Sequence, residues 1–370
     1  MSTFTRLALV AATIAVPLAR VAAADPPAAE VDTLVRREMT RQRIPGLSLG
    51  VVREGRLLRA EGYGLANVEL DAPVTPRTMF QSGSVGKQFT AALVVMLAAE
   101  GRLGLDDPLS KWIAEAPPAW KGITIRHLLT HTSGIAEYTD RIDLRRDYTE
   151  DQLLRMAGER PLDFAPGTRW SYSNTAYAVL GILIRRASGT FYGDLLRERI
   201  FKPLGMTTAR VISEADIVPG RAAGYRLVDG QLGNQEWVAP SLNTTADGAL
   251  YLSALDMARW AEGLETDVPL PAALRSQMWT RARLADGTPA AARDAGYGLG
   301  WFLTRRAGQP VMEHGGSWQG FQSYIGRFPD QQLTVYAFSN LAGSDPGLIA
   351  RAVAALYAPV LALPSPSPAP

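Results

Sequence analysis

Apolar residues recur at helical spacing in several stretches of the chain, and these stretches are predicted to be helices. In the first of them, Val31, Val35 and Met39 fall on one helical face together with Leu34. Residues 253–264 follow the same pattern behind a serine suited to cap a helix. The predicted helices are 28–43, a helix that runs from Val85 to a cap near Gly101, the segment from Asn174 to Gly189, 253–264 and about 346–357.

Extended runs lie near both ends of the chain. Residues 46–66 contain two such runs joined by Arg53-Glu54-Gly55, which predicts a β-hairpin. From about residue 297 the runs YGLGWFL, FQSYIGRFP and LTVYAFSN alternate as strands. Strands at both ends around a helical middle indicate one sheet built from both termini, with a helical insert.

The hairpin decides how the motif GLSLG is interpreted. Gly46 to Gly50 match G-x-S-x-G, the nucleophile elbow of α/β-hydrolases, which requires a sharp strand-to-helix turn directly after the serine. Leu47, Leu49 and Val51 share one face of an extended run, so Ser48 is predicted to lie in the middle of a strand. The nucleophile is therefore sought elsewhere.

The first residues predict export. Arg6 precedes a mostly apolar run, and Ala22-Ala23-Ala24 provides an A-x-A cleavage pattern. The run is shorter than the roughly 20 residues that a spanning helix needs. Residues 1–24 are predicted to be a signal peptide and the mature protein periplasmic or secreted, with no membrane span after cleavage. The alternative is an uncleaved anchor.

The amino-acid composition and the net charge limit the chemistry and the partners expected of the chain. The sequence contains no cysteine, which excludes disulfide bonds and thiolate chemistry. Removing Arg6 and Arg20 with the signal takes the formal net charge from +2 to 0, so nothing in the charge favours nucleic acid or an anionic membrane as a partner. Residues 359–370, rich in Pro and Ser, are predicted to be a disordered tail.

An S-x-x-K motif supplies the first candidate chemistry. Ser84 and Lys87 are one helical turn apart and are expected on the same face. A serine attacks once a base removes its proton, and a lysine is such a base only where its surroundings lower the pKa of an amine. The start of a helix also favours negative charge on the serine oxygen. The alternative is a capping serine followed by a solvated lysine.

The run Tyr172-Ser173-Asn174 contains the second set of candidate catalytic residues. Tyr172 could relay a proton between Ser84 and a leaving group, and the amide of Asn174 could contact both Lys87 and a substrate carbonyl. The alternative is an aromatic side chain packed on the next helix, with Asn174 as the N-cap.

The third candidate motif for the site is the run His314-Gly315-Gly316-Ser317. Glycines allow a substrate backbone to approach an edge strand closely. The N–H groups of Ser317 and Ser84 are predicted to form an oxyanion hole, in which each donor typically contributes about 10²–10³ in rate. The alternative is a glycine turn between two strands.

With these motifs in order, the chain resembles the penicillin-recognising serine hydrolases. The branch includes class C β-lactamases, D-Ala-D-Ala carboxypeptidases, D-amino-acid peptidases and β-lactamase-like esterases. The resemblance covers most of 30–358 and includes FQSGSVGKQFTAALV, ITIRHLLTHTSGI, FAPGTRWSYSNTAYAVLG, KPLGM and YGLGW.

The resemblance implies an α/β fold of the α+β type, with an antiparallel sheet flanked by helices and the site in a cleft beside a mostly helical domain. Residues 25–80 and 290–358 would form the sheet domain and 81–289 the helical one. It implies Ser84 as the acylated nucleophile, Lys87 and Tyr172 as the proton-transfer pair and Asn174 as the positioning amide. No cofactor or metal is expected.

His314, Gly315 and Gly316 stand where many relatives have K-T-G, and they are expected to position substrate. A histidine is only partly charged near neutral pH, which weakens the case for an efficient β-lactamase. The expected function is an exported serine hydrolase that acts through an acyl-enzyme on an ester, amide or peptide bond. Carboxylesterase and D-Ala-D-Ala carboxypeptidase or D-aminopeptidase activities fit, on small-molecule or peptidoglycan-derived substrates.

Two other interpretations remain open. A class C-like β-lactamase, or a penicillin- or peptidoglycan-sensing protein without turnover, would keep the same fold. His127 and His131, four residues apart, could also present two metal ligands on one helical face, although no H-E-x-x-H pattern accompanies them.

Overall fold

The computed structural model of the protein describes residues 25–213, 215–292 and 295–363. The predicted signal peptide lies outside the described residues. The α-helices are α1 (Ala28–Gln42), α2 (Lys87–Ala99), α3 (Ile125–Leu129), α4 (Glu150–Gly158), α5 (Asn174–Ser188), α6 (Tyr192–Leu196), α7 (Lys202–Leu204), α8 (Ala254–Gly263), α9 (Ala272–Met278) and α10 (Pro346–Tyr357). The strands are β1 (Gly46–Arg53), β2 (Arg56–Asn67), β3 (Ala72–Pro73), β4 (Phe80–Gln81), β5 (Arg210–Val211), β6 (Tyr225–Val228), β7 (Gln231–Asn234), β8 (Leu250–Leu252), β9 (Ala291–Ala292), β10 (Ala295–Tyr297), β11 (Phe302–Arg306), β12 (Gln309–Trp318), β13 (Phe321–Phe328) and β14 (Leu333–Ser339).

A nine-stranded antiparallel sheet joins the two ends of the chain. Its strand order is β3-β2-β1-β14-β13-β12-β11-β10-β9, so the N-terminal hairpin pairs with the last strand. Leu47 of β1 lies opposite Ser339 of β14, and Arg53 lies opposite Leu333. The predicted fold class, an antiparallel sheet flanked by helices with a mostly helical second part, is confirmed.

One face of the sheet packs against the first and last helices. Val31 and Val35 of α1 and Ile349 and Val353 of α10 are fully buried against the apolar face of β1 and β14. This face contains Leu47, Leu49 and Val51, as the alternation in the sequence predicts. The burial of this layer packs the N-terminal helix α1 and the C-terminal helix α10 into one apolar core.

The opposite face of the sheet packs against helices from the middle of the chain. Tyr336 of β14 donates a hydrogen bond of 2.6 Å to the carbonyl of Ala254 at the start of α8. Trp260 of α8 is fully buried in the same apolar cluster as Phe89 of α2. Helix α8, placed by sequence within 81–289, therefore packs directly on the sheet.

Ser48 is buried in the middle of β1, between Gly62 of β2 and Phe338 of β14. The Ser48 side chain is fully buried on a covered face of the sheet and has no access to substrate, and a hairpin turn to β2 follows β1 where an elbow would need a helix. The prediction that Ser48 lies mid-strand agrees with this placement.

The packed chain continues beyond the predicted boundary at residue 358. Residues Pro359–Leu361 form a 3₁₀ turn, and Leu361 is fully buried against the α1 and α10 layer. The predicted tail at 359–370 is therefore wrong at its start, because an apolar side chain at 361 completes this core. The part of that tail from residue 364 lies outside the described residues.

In the described part of the chain, no helix combines the length and the apolar character needed to cross a bilayer.

Candidate active site

Ser84 lies in a 3₁₀ turn, Gly83–Gly86, that leads directly into α2 at Lys87. The prediction of an α-helix from Val85 is thus wrong by two residues at its start. The tighter turn has a local cause, because Gly83 has a φ of 49° and a Cβ there would lie 2.5 Å from the backbone nitrogen of Ser317. Glycine allows the nucleophile turn to rest directly on β12.

Lys87 is fully buried and lies within hydrogen-bond distance of three oxygen atoms. Its Nζ is 3.0 Å from Ser84 Oγ, 2.9 Å from Asn174 Oδ1 and 2.5 Å from the carbonyl oxygen of Asp247. Among the described residues, no carboxylate oxygen lies within ion-pair distance of Nζ. The solvated lysine considered as the alternative is therefore wrong, because this side chain is enclosed.

Two tyrosine rings complete the enclosure of Lys87. Its Nζ lies 5.0 Å from the ring centroid of Tyr172 and 5.5 Å from that of Tyr177. The aromatic faces carry partial negative charge and exclude water, which strengthens the polar contacts of the amine.

Asn174 is held at the start of α5 by two neighbours. Ser173, not Asn174, is the N-cap, and its hydroxyl accepts the N–H of Ala176 at 3.1 Å. The Asn174 amide is consequently free for the site, where Nδ2 donates to Glu137 Oε2 at 3.2 Å and Oδ1 accepts from Lys87. The N-cap role proposed for Asn174 as the alternative is wrong.

Glu137 fixes the orientation of that amide. Its other oxygen, Oε1, accepts the backbone N–H of Thr175 at 3.1 Å and the hydroxyl of the same residue at 3.2 Å. A carboxylate only accepts hydrogen bonds, so it selects the amide orientation in which the Asn174 oxygen faces Lys87.

Tyr172 lies beside the nucleophile pair with its hydroxyl unengaged. Its ring stacks on Phe302 with centroids 6.3 Å apart and an interplanar angle of 7°. The buried hydroxyl has no hydrogen-bond partner among the described residues. A buried phenol of this kind can bond to a substrate without first breaking another contact.

His314 is buried beside the rings of Tyr172 and Phe302, and its imidazole is neutral. Its Nδ1 is 2.6 Å from the carbonyl oxygen of Gly315 and therefore donates, which leaves Nε2 to accept from the hydroxyl of Tyr297 at 3.2 Å. Burial lowers the pKa of His314 to about 3, against a smaller opposing effect of the hydrogen bond to Gly315. The expectation of a partly charged imidazole is corrected to an uncharged one.

A second buried histidine lies within the same aromatic group. The ring of His131 lies 4.3 Å from that of Tyr172 and 4.6 Å from that of Tyr297, and its Nδ1 accepts the backbone N–H of Ser173 at 3.1 Å. Burial is the main cause that holds the pKa of His131 well below the usual range. His131 thus positions Tyr172 and the cap of α5 from below.

The histidine pair does not form the predicted alternative metal face. Helix α3 ends at Leu129, and His131 follows it with a φ of 59°, so the two rings do not share a helix. His127 instead accepts the N–H of Thr124 through Nδ1 as part of a capping box. No group of three or more His, Asp or Glu side chains suited to a metal occurs among residues 25–213, 215–292 and 295–363.

The end of β12 forms a free edge beside Ser84. Strand β11 pairs with β12 only as far as Glu313, and in the described chain His314 to Trp318 pair only with β13. A Cβ on Gly316 would lie 2.9 Å from the backbone nitrogen of Ser84. The two glycine contacts bring the amides of Ser84 and Ser317 to the same junction.

An open cleft of about 520 Å³ begins at Ser84 and continues past Gly315 and Glu313 to the start of α10. The structure therefore brings Ser84, Lys87, Tyr172, Asn174 and the segment from His314 to Ser317 to one place. Glu137, Asp247, His131 and Tyr177, which also build the site, were missed as site residues. Glu137 and His131 occur in the segment ITIRHLLTHTSGI and the two residues that follow it, the one signal that could have indicated them.

Comparison with known proteins places this geometry in a family. The family model described as Beta-lactamase matches residues 31–358. Esterase EstB of Burkholderia gladioli is 30% identical, over 79% of this chain and 84% of the esterase. Penicillin-binding protein 4* of Bacillus subtilis is 28% identical, over 77% of this chain and 66% of its own length, and the D-aminopeptidase of Gluconobacter oxydans is 28% identical, over 80% and 56%. The chain thus spans between half and two-thirds of the last two relatives.

A solved structure shares the fold of this chain. The octameric penicillin-binding protein homologue from Pyrococcus abyssi superposes with a TM-score of 0.77 at 29% identity, over 89% of this chain and 76% of that one. The sequence-based resemblance to the penicillin-recognising hydrolases is confirmed. With a matching model over nearly its whole described length, this chain belongs to the beta-lactamase family of serine hydrolases.

Proposed function

We propose that the protein is an exported serine hydrolase that cleaves an ester, amide or peptide bond through an acyl-enzyme on Ser84. The observation that carries the proposal is the 3.0 Å contact between Ser84 Oγ and a fully buried Lys87. Both oxygen atoms that complete the surroundings of Lys87 are uncharged carbonyl groups, of Asn174 and Asp247.

These surroundings suit a neutral amine acting as a base. A neutral lysine can donate to Asn174 Oδ1 and to the Asp247 carbonyl while its lone pair accepts the proton of Ser84. Proton transfer then turns the amine into an ammonium with the same three partners, so the step needs little rearrangement. Arginine could not do this because it keeps its proton.

Acylation forms a bond between Ser84 Oγ and the substrate carbonyl carbon. The amides of Ser84 and Ser317 would hold the negative oxygen of the tetrahedral intermediate. The leaving alcohol or amine departs with a proton from Lys87, passed through the free hydroxyl of Tyr172. Water then attacks the acyl carbon and gives its proton through the Tyr172 hydroxyl to Lys87. The bond between Ser84 Oγ and the acyl carbon breaks, Lys87 returns the proton to Oγ, and the acid leaves.

Esters are the first candidate substrates. The neutral His314 offers no fixed cation for the carboxylate of a penicillin or of a D-Ala-D-Ala end, and the esterase of Burkholderia gladioli is among the relatives. D-Amino-acid amides and peptides are the second candidate substrates. The D-aminopeptidase relative supports them. So does the similarity to a D-stereospecific amidohydrolase from Streptomyces sp., with a TM-score of 0.73 and 25% identity. Export rests on the signal-like residues 1–24 alone.

A substrate panel tests the proposal. The mature chain and its Ser84→Ala variant are each given a chromogenic ester, a D-amino-acid amide, a D-Ala-D-Ala peptide and a cephalosporin. We expect many product equivalents per protein from the ester, a smaller rate from the amide and none from Ser84→Ala. One equivalent of product followed by arrest would instead indicate a sensing protein, and efficient cephalosporin turnover would indicate a β-lactamase.

A further inference from the structure

The cleft beside Ser84 extends well beyond the reacting groups. It runs along the α10 face of β12, over Gly315, to the first turn of α10. Among the residues that line this space are Ser84, Glu313, Gly315, Tyr324, Asp345 and Arg351. A substrate bound at Ser84 can therefore place a second group several residues along β12.

Gly315 leaves the floor of this cleft bare. A Cβ at that position would meet only the carbonyl oxygen of Ser323, at 3.8 Å, so the space above it is open. The neighbouring Gly316 differs, because a Cβ there would overlap the Ser82 carbonyl and the Ser323 hydroxyl. Gly316 is needed for packing, whereas Gly315 is needed only to keep the cleft open.

The positive charge in the cleft is already compensated. The Arg351 guanidinium lies 3.5 Å from Asp345 Oδ2 and 4.9 Å from the ring centroid of Tyr324. Asp345 also caps α10, accepting the N–H of Leu348 at 2.8 Å, which offsets the positive end of that helix.

Glu313 is the acidic side chain of the cleft that makes no direct ion pair among the described residues. Its Oε1 accepts the hydroxyl of Thr304 at 2.6 Å and its Oε2 accepts the hydroxyl of Tyr324 at 2.5 Å, and no ion pair to it occurs among the described residues. Arg306 lies close enough for its charge and that of Glu313 to attract each other, but its Nε donates to the carbonyl of Leu361 at 3.0 Å and makes no direct contact with the carboxylate. A carboxylate has about four lone-pair sites, so two hydroxyl donors leave it able to accept a cation.

We propose that this cleft binds a positively charged end of the substrate, with Glu313 as its counter-charge. The inference rests on the proposed hydrolase function and specifies its substrate class. Glu313 precedes Gly316, which lies beside Ser84, by three strand positions, which corresponds to roughly 10 Å along β12. The favoured substrate is therefore an ester or amide with a cationic group several carbon atoms from the carbonyl.

Two pairs of matched esters test this inference. In the first, the acyl half of a p-nitrophenyl ester is either 6-(trimethylammonio)hexanoate or its uncharged isostere, 7,7-dimethyloctanoate. In the second, the corresponding alcohols are acetylated, which places the cation in the leaving group. We expect kcat/KM of the wild type to favour the cation by about tenfold in one of the two pairs, which corresponds to about 1.4 kcal/mol.

The variant Glu313→Gln should reduce that preference to near unity, mainly through KM, while the uncharged ester is hydrolysed within about twofold of the wild-type rate. Arg351→Gln provides a second variant with the opposite sign, because removing a cation from the cleft should increase the preference. Equal losses for both esters in Glu313→Gln would show a structural role only and overturn the inference. So would a wild type without any preference. If no ester is turned over above the Ser84→Ala background, the proposed function itself fails, which is a different outcome.

Discussion

Lys87 is one of only four lysines in a chain with thirty-four arginines, and it lies at the position where arginine could not do the chemistry. The sequence indicated this pair through a spacing of three residues, because neighbours on one helical turn are a local property. It did not indicate Glu137 or the Asp247 carbonyl. These contacts depend on loops whose path is set by packing between distant segments.

Glu137 should act as a positioning residue through Asn174. In Glu137→Gln an NH₂ group replaces one acceptor oxygen, so the Asn174 amide loses its fixed orientation and its oxygen no longer faces Lys87 reliably. Hydrogen bonds to charged groups contribute about 1.5–3 kcal/mol. We expect kcat on the preferred ester to fall by about tenfold or more, with KM little changed.

The matched control for this variant is Glu150→Gln. Glu150 is also a half-buried glutamate, but it pairs with Arg185 away from the site. Its kcat should equal that of the wild type. A folded Glu137→Gln enzyme with unchanged kcat would show that Asn174 keeps its orientation without the carboxylate.

At the scale of elements, the nucleophile turn and the free end of β12 are built against each other. Gly83 rests on Ser317, and Gly316 rests on the turn that contains Ser82 and Ser84. The helical part of α2 was predicted from periodicity, because that pattern is local. The 3₁₀ turn before it was not, because its shape is imposed by a strand more than two hundred residues later in the sequence.

Two alanine variants of neighbouring glycines test this contact. Gly316→Ala forces a Cβ against Ser82 and Ser323 and should lower the free energy of unfolding by about 1–3 kcal/mol, as overpacked sites do. Gly315→Ala meets open space and should stay within about 0.5 kcal/mol of the wild type. Urea unfolding measures both, and equal destabilisation by the two changes would contradict the packing described for β12.

At the scale of the whole molecule, the sheet unites chain ends that are far apart in sequence. Alternating patterns near both termini predicted the strands and their common sheet. The cleft over Gly315 could not be predicted, because it forms between the end of β12 and the start of α10, and the pattern of neither segment specifies the space between them.

The two buried histidines at the centre of the molecule should make its stability depend on pH. In the unfolded chain they bind protons near pH 6.5, whereas in the folded protein His314 remains neutral until about pH 3 and His131 also titrates well below its usual range. The unfolded state therefore takes up more protons as the pH falls below about 6.5, and stability is lost towards acid pH. The expected slope is up to about 1.4 kcal/mol per pH unit for each histidine.

Urea unfolding at a series of pH values below neutrality measures this slope. His314→Gln should show a shallower slope than the wild type by up to about 1.4 kcal/mol per pH unit. An unchanged slope would mean that His314 becomes protonated in the folded protein.

In the proposed mechanism Lys87 deprotonates Ser84, and the Oγ atom of Ser84 becomes acylated. The most direct test is mass spectrometry of the intact protein and of its peptides, after reaction with a slowly deacylating ester. We expect one acyl group per chain, located on Ser84, absent in Ser84→Ala and strongly reduced in Lys87→Arg. An adduct on another serine such as Ser48, or undiminished labelling of Ser84 in Lys87→Arg, would contradict it.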